Sequence, residues 1–139
     1  MASVQKSMRI PEEMAAEIQS IAQQSGKDFS TITKQLLEEA IKMNRCPGIG
    51  FTEGVNGRRA RVAGSGIEVW EIIQNYKSLE NDFKRLRKAC HWLSEQQLRA
   101  AIAYYQSYPL EIDNLISLNE NWSKDNTLKQ YPFLSGSAI

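Results

Sequence analysis

The sequence predicts a mainly α protein in two parts, with a single β-strand at its start. One strand and two helices fall in residues 1–45, a small helical domain in 46–117, and a tail in 118–139. Three observations lead there. The stretch SVQKSMRIPEE, residues 3–13, alternates like a half-buried strand and then opens a helix. Two runs with apolar residues at helical spacing follow, separated by Gly26. Further on, Ser94 and Gln97 form a capping-box pattern ahead of another such run.

Composition narrows the classes. Of the 139 residues 42% are apolar, enough for packed cores, while 24% are charged with a formal net charge of +1. Any grip on phosphates must therefore come from local clustering of cations. No apolar run reaches membrane-spanning length. The N-terminus has no apolar signal core, so secretion is not expected. Two cysteines, Cys46 and Cys90, are too few for a disulfide framework, and a reducing cytoplasm is the simplest setting.

In the opening strand Val4, Met8 and Ile10 share one parity and Gln5, Ser7 and Arg9 the other. Lys6 breaks the apolar side and suits a strand edge. Pro11-Glu12-Glu13 opens the first helix, because proline tolerates the missing amide hydrogen and acids complement the helix dipole. Met14, Ile18, Ile21 and Ala22 form its apolar face, and Gly26 suits the left-handed C′ position. Asp28 caps a second helix, with Ser30 as the rival cap. Phe29, Ile32, Leu36, Leu37, Ala40 and Ile41 give that helix its stripe, which is exhausted at Asn44-Arg45.

A lone strand leaves its ladder groups unpaired, which is costly when they are buried. Two short helices also bury little apolar surface. Both deficits vanish if two copies pair their strands antiparallel and interlock their helices. The core of such a homodimer falls to Met8, Ile10, Ile18, Ile32 and Leu36. The rival is a strand added to the C-terminal domain.

RIPEEMAAEIQSIAQQSGKDFSTITKQLLEEAI resembles the ribbon-helix-helix DNA-binding proteins of the Arc, MetJ and CopG class. The resemblance covers nearly all of residues 4–43. It implies an intertwined homodimer whose intermolecular two-stranded ribbon enters the major groove of double-stranded DNA. Gln5, Ser7 and Arg9 then occupy the face that reads base edges. Their chemistry suits it: Arg forks onto guanine, Gln onto adenine, and Ser bonds either way. The amides of Phe29 and Ser30 at the second helix's N-terminus would meet phosphate. Asp28 departs from the pattern by bringing negative charge near that anchor. A solvated strand face is the plainer account of the same polar residues.

In 46–117, CPGIGFTEGVNG reads as loop and turn, and Arg58–Ala63 as a short strand. A helix with Val69, Ile72 and Ile73 inward follows. Residues 79–89 read as a helix with Leu79, Phe83 and Leu86 buried. The capping box starts another helix, to about Tyr108, with Leu98, Ile102 and Tyr105 inward. A last helix spans Leu110–Leu118, with Ile112, Leu115 and Ile116 apolar. The pair 79–89 and 95–108 has helix-turn-helix proportions. Tyr104, Tyr105 and Trp92 read as core. Basic residues cluster at Arg58, Arg59 and Arg61 and again at Lys84, Arg85, Arg87 and Lys88. The first trio is the preferred phosphate contact, because no acid lies beside it in sequence; the second group reads equally well as a wet helix face.

GRRARVAGSGIEVWEII with SEQQLRAAIAYYQSYPLEIDNLI resembles a small helical family of unknown function that includes antitoxins of the VapB type. The match rests on Gly57-Arg58-Arg59, the Ala63-Gly64-Ser65-Gly66 turn, Val69-Trp70, and Ala100, Ile102, Tyr104 and Tyr105. Gly66 stands where many members carry Arg. The resemblance implies a helix-turn-helix-like domain and, for the tail, a partner-binding segment for a nuclease-like toxin protein. Trp122, Tyr131 and Phe133 would anchor it, and Lys124 or Lys129 would meet the toxin's acidic site. Packing back onto the domain is the plainer role for this tail.

No catalytic residue, metal site or cofactor is expected. Cys46, Cys90 and His91 give three ligands where a structural zinc wants four, and the adjacent Cys90 and His91 diverge too readily for nucleophilic catalysis. The paired glycines lack the lysine of a phosphate loop. The sequence thus points to a sequence-specific DNA-binding homodimer, an antitoxin-like autorepressor. The rival is an adaptor that uses its N-terminal unit only to dimerise. The operator, the toxin, and whether tetramers form through 46–117 are left open.

Overall fold

The structure, a computed structural model, describes residues 2–53 and 57–130, with the backbone alone beyond Trp122. The chain falls into two compact units that divide between Lys42 and Met43. Helices dominate the described residues, and a two-stranded antiparallel sheet accompanies them. No helix among the described residues is long and apolar enough to cross a membrane.

In the first unit, α1 spans Glu12–Ser25 and α2 spans Phe29–Arg45, its last turn lying past the division. Pro11 precedes α1, and Glu12 and Glu13 sit in its first turn, where the dipole favours acids. Gly26 ends it at φ 67°, the left-handed conformation that glycine adopts without a Cβ penalty. The Asp28 carboxylate accepts from the Thr31 amide at 2.8 Å, so Asp28 and not Ser30 is the cap of α2. Ala22 and Ile32 are the fully buried apolar side chains of this unit. Residues 2–11 form no regular element within the single chain, so the expected strand has no ladder there.

The second unit starts with a hairpin. Strand β1, Ile49–Thr52, pairs antiparallel with β2, Arg59–Val62, in the register Ile49↔Val62 to Thr52↔Arg59. The reading of 46–57 as loop alone is thereby corrected: Ile49 and Phe51 alternate inward against Val62 and Ala60 despite the glycines around them. Gly48 at φ 88° brings the chain in, and a Cβ there would stand 3.2 Å from that of Ala100. Helices α3 (Val69–Ser78), α4 (Phe83–Ala89), α5 (Glu95–Ser107) and α6 (Pro109–Gln130) follow.

Helix α3 touches β2, α4, α5 and α6, and its Val69, Ile72 and Ile73 are fully buried as expected. Leu86, Leu98, Tyr104 and Ile112 complete the centre of the core. Three boundaries differ from the sequence reading. Helix α4 begins at Phe83, because Glu80 and Asn81 take left-handed conformations and turn the chain. Pro109 opens α6, as the first helical position permits. That helix runs on through the first half of the tail, since no glycine or proline intervenes before Pro132. The expected anchors Tyr131 and Phe133 lie outside the described residues, as do the side chains of Lys124 and Lys129.

One aromatic expectation is also corrected. Trp92 is 61% exposed, because it stands in the α4–α5 turn and not on a packed helix face. Tyr104 is fully buried in the core as expected, and Tyr105 packs partly buried against it. Tyr104 meets Phe51 edge-on and tilts against Tyr108, and its hydroxyl donates to the Glu111 carboxylate. Burial and that carboxylate push the phenol far above its ordinary range. Tyr105 is half-buried and donates to Asp113 at 2.8 Å, which also pairs with Lys77 at 2.7 Å.

Candidate nucleic-acid interface

Three groups of residues carry the expected DNA contacts. The first is the segment before α1. Gln5, Ser7 and Arg9 are all exposed, as are Val4, Lys6 and Met8 of the other parity. Val4, Lys6, Ser7, Met8 and Ile10 line one wall of a groove of about 860 Å³, so Ser7 sits with the apolar side as well as being exposed; α1 residues Met14, Ile18 and Ile21 and α2 residues Phe29, Leu36 and Leu37 complete it. Four of the five expected dimer-core residues, Met8, Ile10, Ile18 and Leu36, line the groove, and Ile32 is buried. The groove is not filled within the chain: Val4 is 78% and Met8 76% exposed.

The second group is the start of α2. Four amides at a helix N-terminus lack intrahelical partners. Asp28 takes the one at Thr31, and the amide of Ile32 donates to the Asp28 carbonyl at 3.1 Å. Among the described residues the amides of Phe29 and Ser30 have no partner, and Ser30 is exposed. The Thr31 hydroxyl and amide hold the Asp28 carboxyl below its ordinary 3.8, so it stays ionised beside those amides. It is a cap and a local negative charge at once.

The third group, Arg58, Arg59 and Arg61, has internal partners. Arg58 donates to the Phe51 carbonyl at 3.3 Å and lies 3.7 Å from Glu53. Arg59 faces the buried carboxylate of Glu68 at 3.6 Å. Arg61 donates to the Gly66 carbonyl at 2.8 Å. The premise that no acid lies beside this trio fails, because the hairpin and the turn into α3 bring Glu53 and Glu68 to it. Glu71, one turn into α3, has its carboxyl raised by burial and by Glu68, with Arg61 opposing.

Lys84, Arg85, Arg87 and Lys88 are exposed on α4 instead. The Ser94 hydroxyl accepts from the Gln97 amide at 3.1 Å, and the Gln97 side chain accepts from the Ser94 amide at 2.9 Å, fixing the start of α5. The Gln97 amide nitrogen also donates to the Ala63 carbonyl at 3.2 Å, tying the end of the hairpin to that helix. Cys46 and Cys90 are buried free thiols, and burial raises that of Cys90. No cluster of three or more potential metal ligands occurs among the described residues.

No family model matches this chain, and no curated protein or solved structure is significantly similar to it. The geometry and the chemistry of its own residues therefore carry the functional argument.

Proposed function

We propose that the chain is a homodimeric, sequence-specific DNA-binding protein of ribbon-helix-helix type, acting as an antitoxin-like autorepressor. The observation that carries this is the unfilled apolar groove of the first unit. One wall of it is an alternating segment with no ladder partner among the described residues. A second copy pairing its segment antiparallel would satisfy the backbone and cover Met8, Ile10, Ile18 and Leu36 together. That pairing would put Gln5, Ser7 and Arg9 on the outer face of a two-stranded ribbon, of a width that the major groove admits.

In this reading Arg9 forks onto guanine and Gln5 onto adenine, with Ser7 adaptable. The open amides of Phe29 and Ser30 anchor a phosphate with the helix dipole behind them. Two-fold symmetry gives a palindromic site, and repression follows from occlusion of a promoter. The toxin partner rests on resemblance alone and would engage the C-terminal end.

The test is selection from a pool of random duplexes, with the oligomeric state measured in parallel. Enrichment of a short palindrome is expected. Arg9→Ala is expected to weaken binding to it by roughly 1–3 kcal/mol. A stable dimer that binds duplexes without preference, unaffected by Arg9→Ala, would leave the segment a dimerisation element only and favour an adaptor.

A further inference from the structure

We propose that α4 is a second DNA contact, a sequence-independent clamp on the phosphate backbone built from Lys84, Arg85 and Lys88. The inference rests on the DNA-binding reading above and assigns to α4 the role expected of the hairpin arginines.

The helix is FKRLRKA. At 100° per residue its four cations fan over about 160° of the surface, opposite Leu86. Leu86 is fully buried, so the cationic arc faces solvent. Arg87 shares one carboxylate with a neighbour: Glu95 lies 3.9 Å from Arg87 and 2.9 Å from Arg99. Lys84, Arg85 and Lys88 have no ion-pair partner among the described residues. The nearest acid in sequence, Asp82, turns its carboxylate to the amides of Lys84 and Arg85 as the helix cap.

A wet helix face explains these cations only in part. Lys and Arg at a helix C-terminus complement the dipole, which accounts for Arg87 and Lys88. Lys84 and Arg85 sit in the first turn, at the positive end, where cations are disfavoured. The choice of nucleic acid over an acidic protein follows from the surface itself. The centre of a protein interface is depleted in charge, whereas this arc is cationic throughout.

The experiment uses the full chain on the selected palindrome and on an unrelated duplex of equal length, over a salt series. The probe variant is Lys84→Gln with Arg85→Gln and Lys88→Gln. Its control is Lys84→Arg with Arg85→Lys and Lys88→Arg, and circular dichroism verifies that both fold. Neutralising three phosphate contacts is expected to reduce the salt slope by about 2.7 per bound chain, so the affinity lost between 50 and 200 mM salt shrinks about 40-fold. Both duplexes should weaken alike, and the charge-keeping control should match the parent.

An unchanged slope in the glutamine variant overturns the clamp. If the parent still prefers the palindrome in that case, the base reader stands without it. A slope that falls as expected on a parent with no palindrome preference sustains the clamp and removes the base reader. A parent that binds no duplex removes both, including when an acidic protein binds α4 instead.

Discussion

The two units solve the same burial problem differently. The second closes a core around Ile72, Ile73, Leu86, Leu98, Tyr104 and Ile112, all at most 1% exposed. The first has Ala22 and Ile32 at its centre and leaves Val4, Met8, Met14, Leu37 and Ile41 in solvent. Both sequences carry amphipathic helices, so amphipathicity alone does not distinguish them. The difference is in what covers the apolar stripes. In the second unit, α3 is met by a strand and three helices of the same chain. In the first, one wall of the groove is a segment without a partner of its own. A unit that exposes so much apolar surface is expected to draw its stability from association, and one with a closed core is not.

The largest effect should come from breaking the first unit. Ile18→Asp puts an uncompensated charge into the proposed dimer core, worth about 3–5 kcal/mol per copy. Sedimentation velocity should then give a monomer at concentrations where the parent is a dimer. The second unit should be insensitive to such dilution but sensitive to its own core. Leu98→Ala is expected to remove about 2–5 kcal/mol, read as a lower urea midpoint that does not move with protein concentration. A midpoint that did move would mean the two units share their stability.

The smallest effect concerns the surface clamp of α3 on α6. Hydrogen bonds from Lys77 and Tyr105 hold the Asp113 carboxyl below its ordinary 3.8, and its ammonium partner is raised in turn. The sign follows from the direction. A lowered carboxylate contributes fully above 3.8 and its contribution is lost as pH falls through the lower folded value. Asp113→Asn should therefore cost at most about 0.2–1 kcal/mol near neutrality, screened by solvent. Denaturant titrations of parent and variant should converge in strong acid.

Local chemistry was legible in the sequence where one residue decides the backbone. Gly26, the Asp28 cap, and the Ser94–Gln97 box all act within four residues, and each is found in place. What escaped was decided at a distance. Strand β1 is read only once Arg59–Val62 is known to lie beside it. The left-handed turn at Glu80-Asn81 has no glycine to announce it. Helical spacing marks Leu98, Ile102 and Tyr105 as the stripe of α5, with Tyr104 read as core beside it. Helix α5 is covered by the hairpin as well as by α3 and α6, so Ala101 and Tyr104 are also buried. The hairpin arginines were judged by their neighbours in sequence, and their acids arrive from either side of the fold. Of the candidate interface, the sequence shows the alternation of Gln5, Ser7 and Arg9, but within the single chain both parities are exposed and Ser7 lines the groove. The free cations of α4 needed the structure to separate them from the engaged trio.

Gly48 and Ala100 make the hairpin's seat on α5 depend on atoms that are not there. A side chain at 48 is disfavoured twice, by the backbone strained at φ 88° and by the methyl group 3.2 Å away. Position 100 is therefore the freer of the two, and its size sets how closely the sheet can approach. An enlargement at 100 that pointed at Gly48 would press on the hairpin, whose chain passes close to it there. A shift of the hairpin would carry the Arg59–Glu68 pairing and the Gln97–Ala63 bond with it, so drift at one alanine would register in the sequence as compensating changes among residues that never touch it.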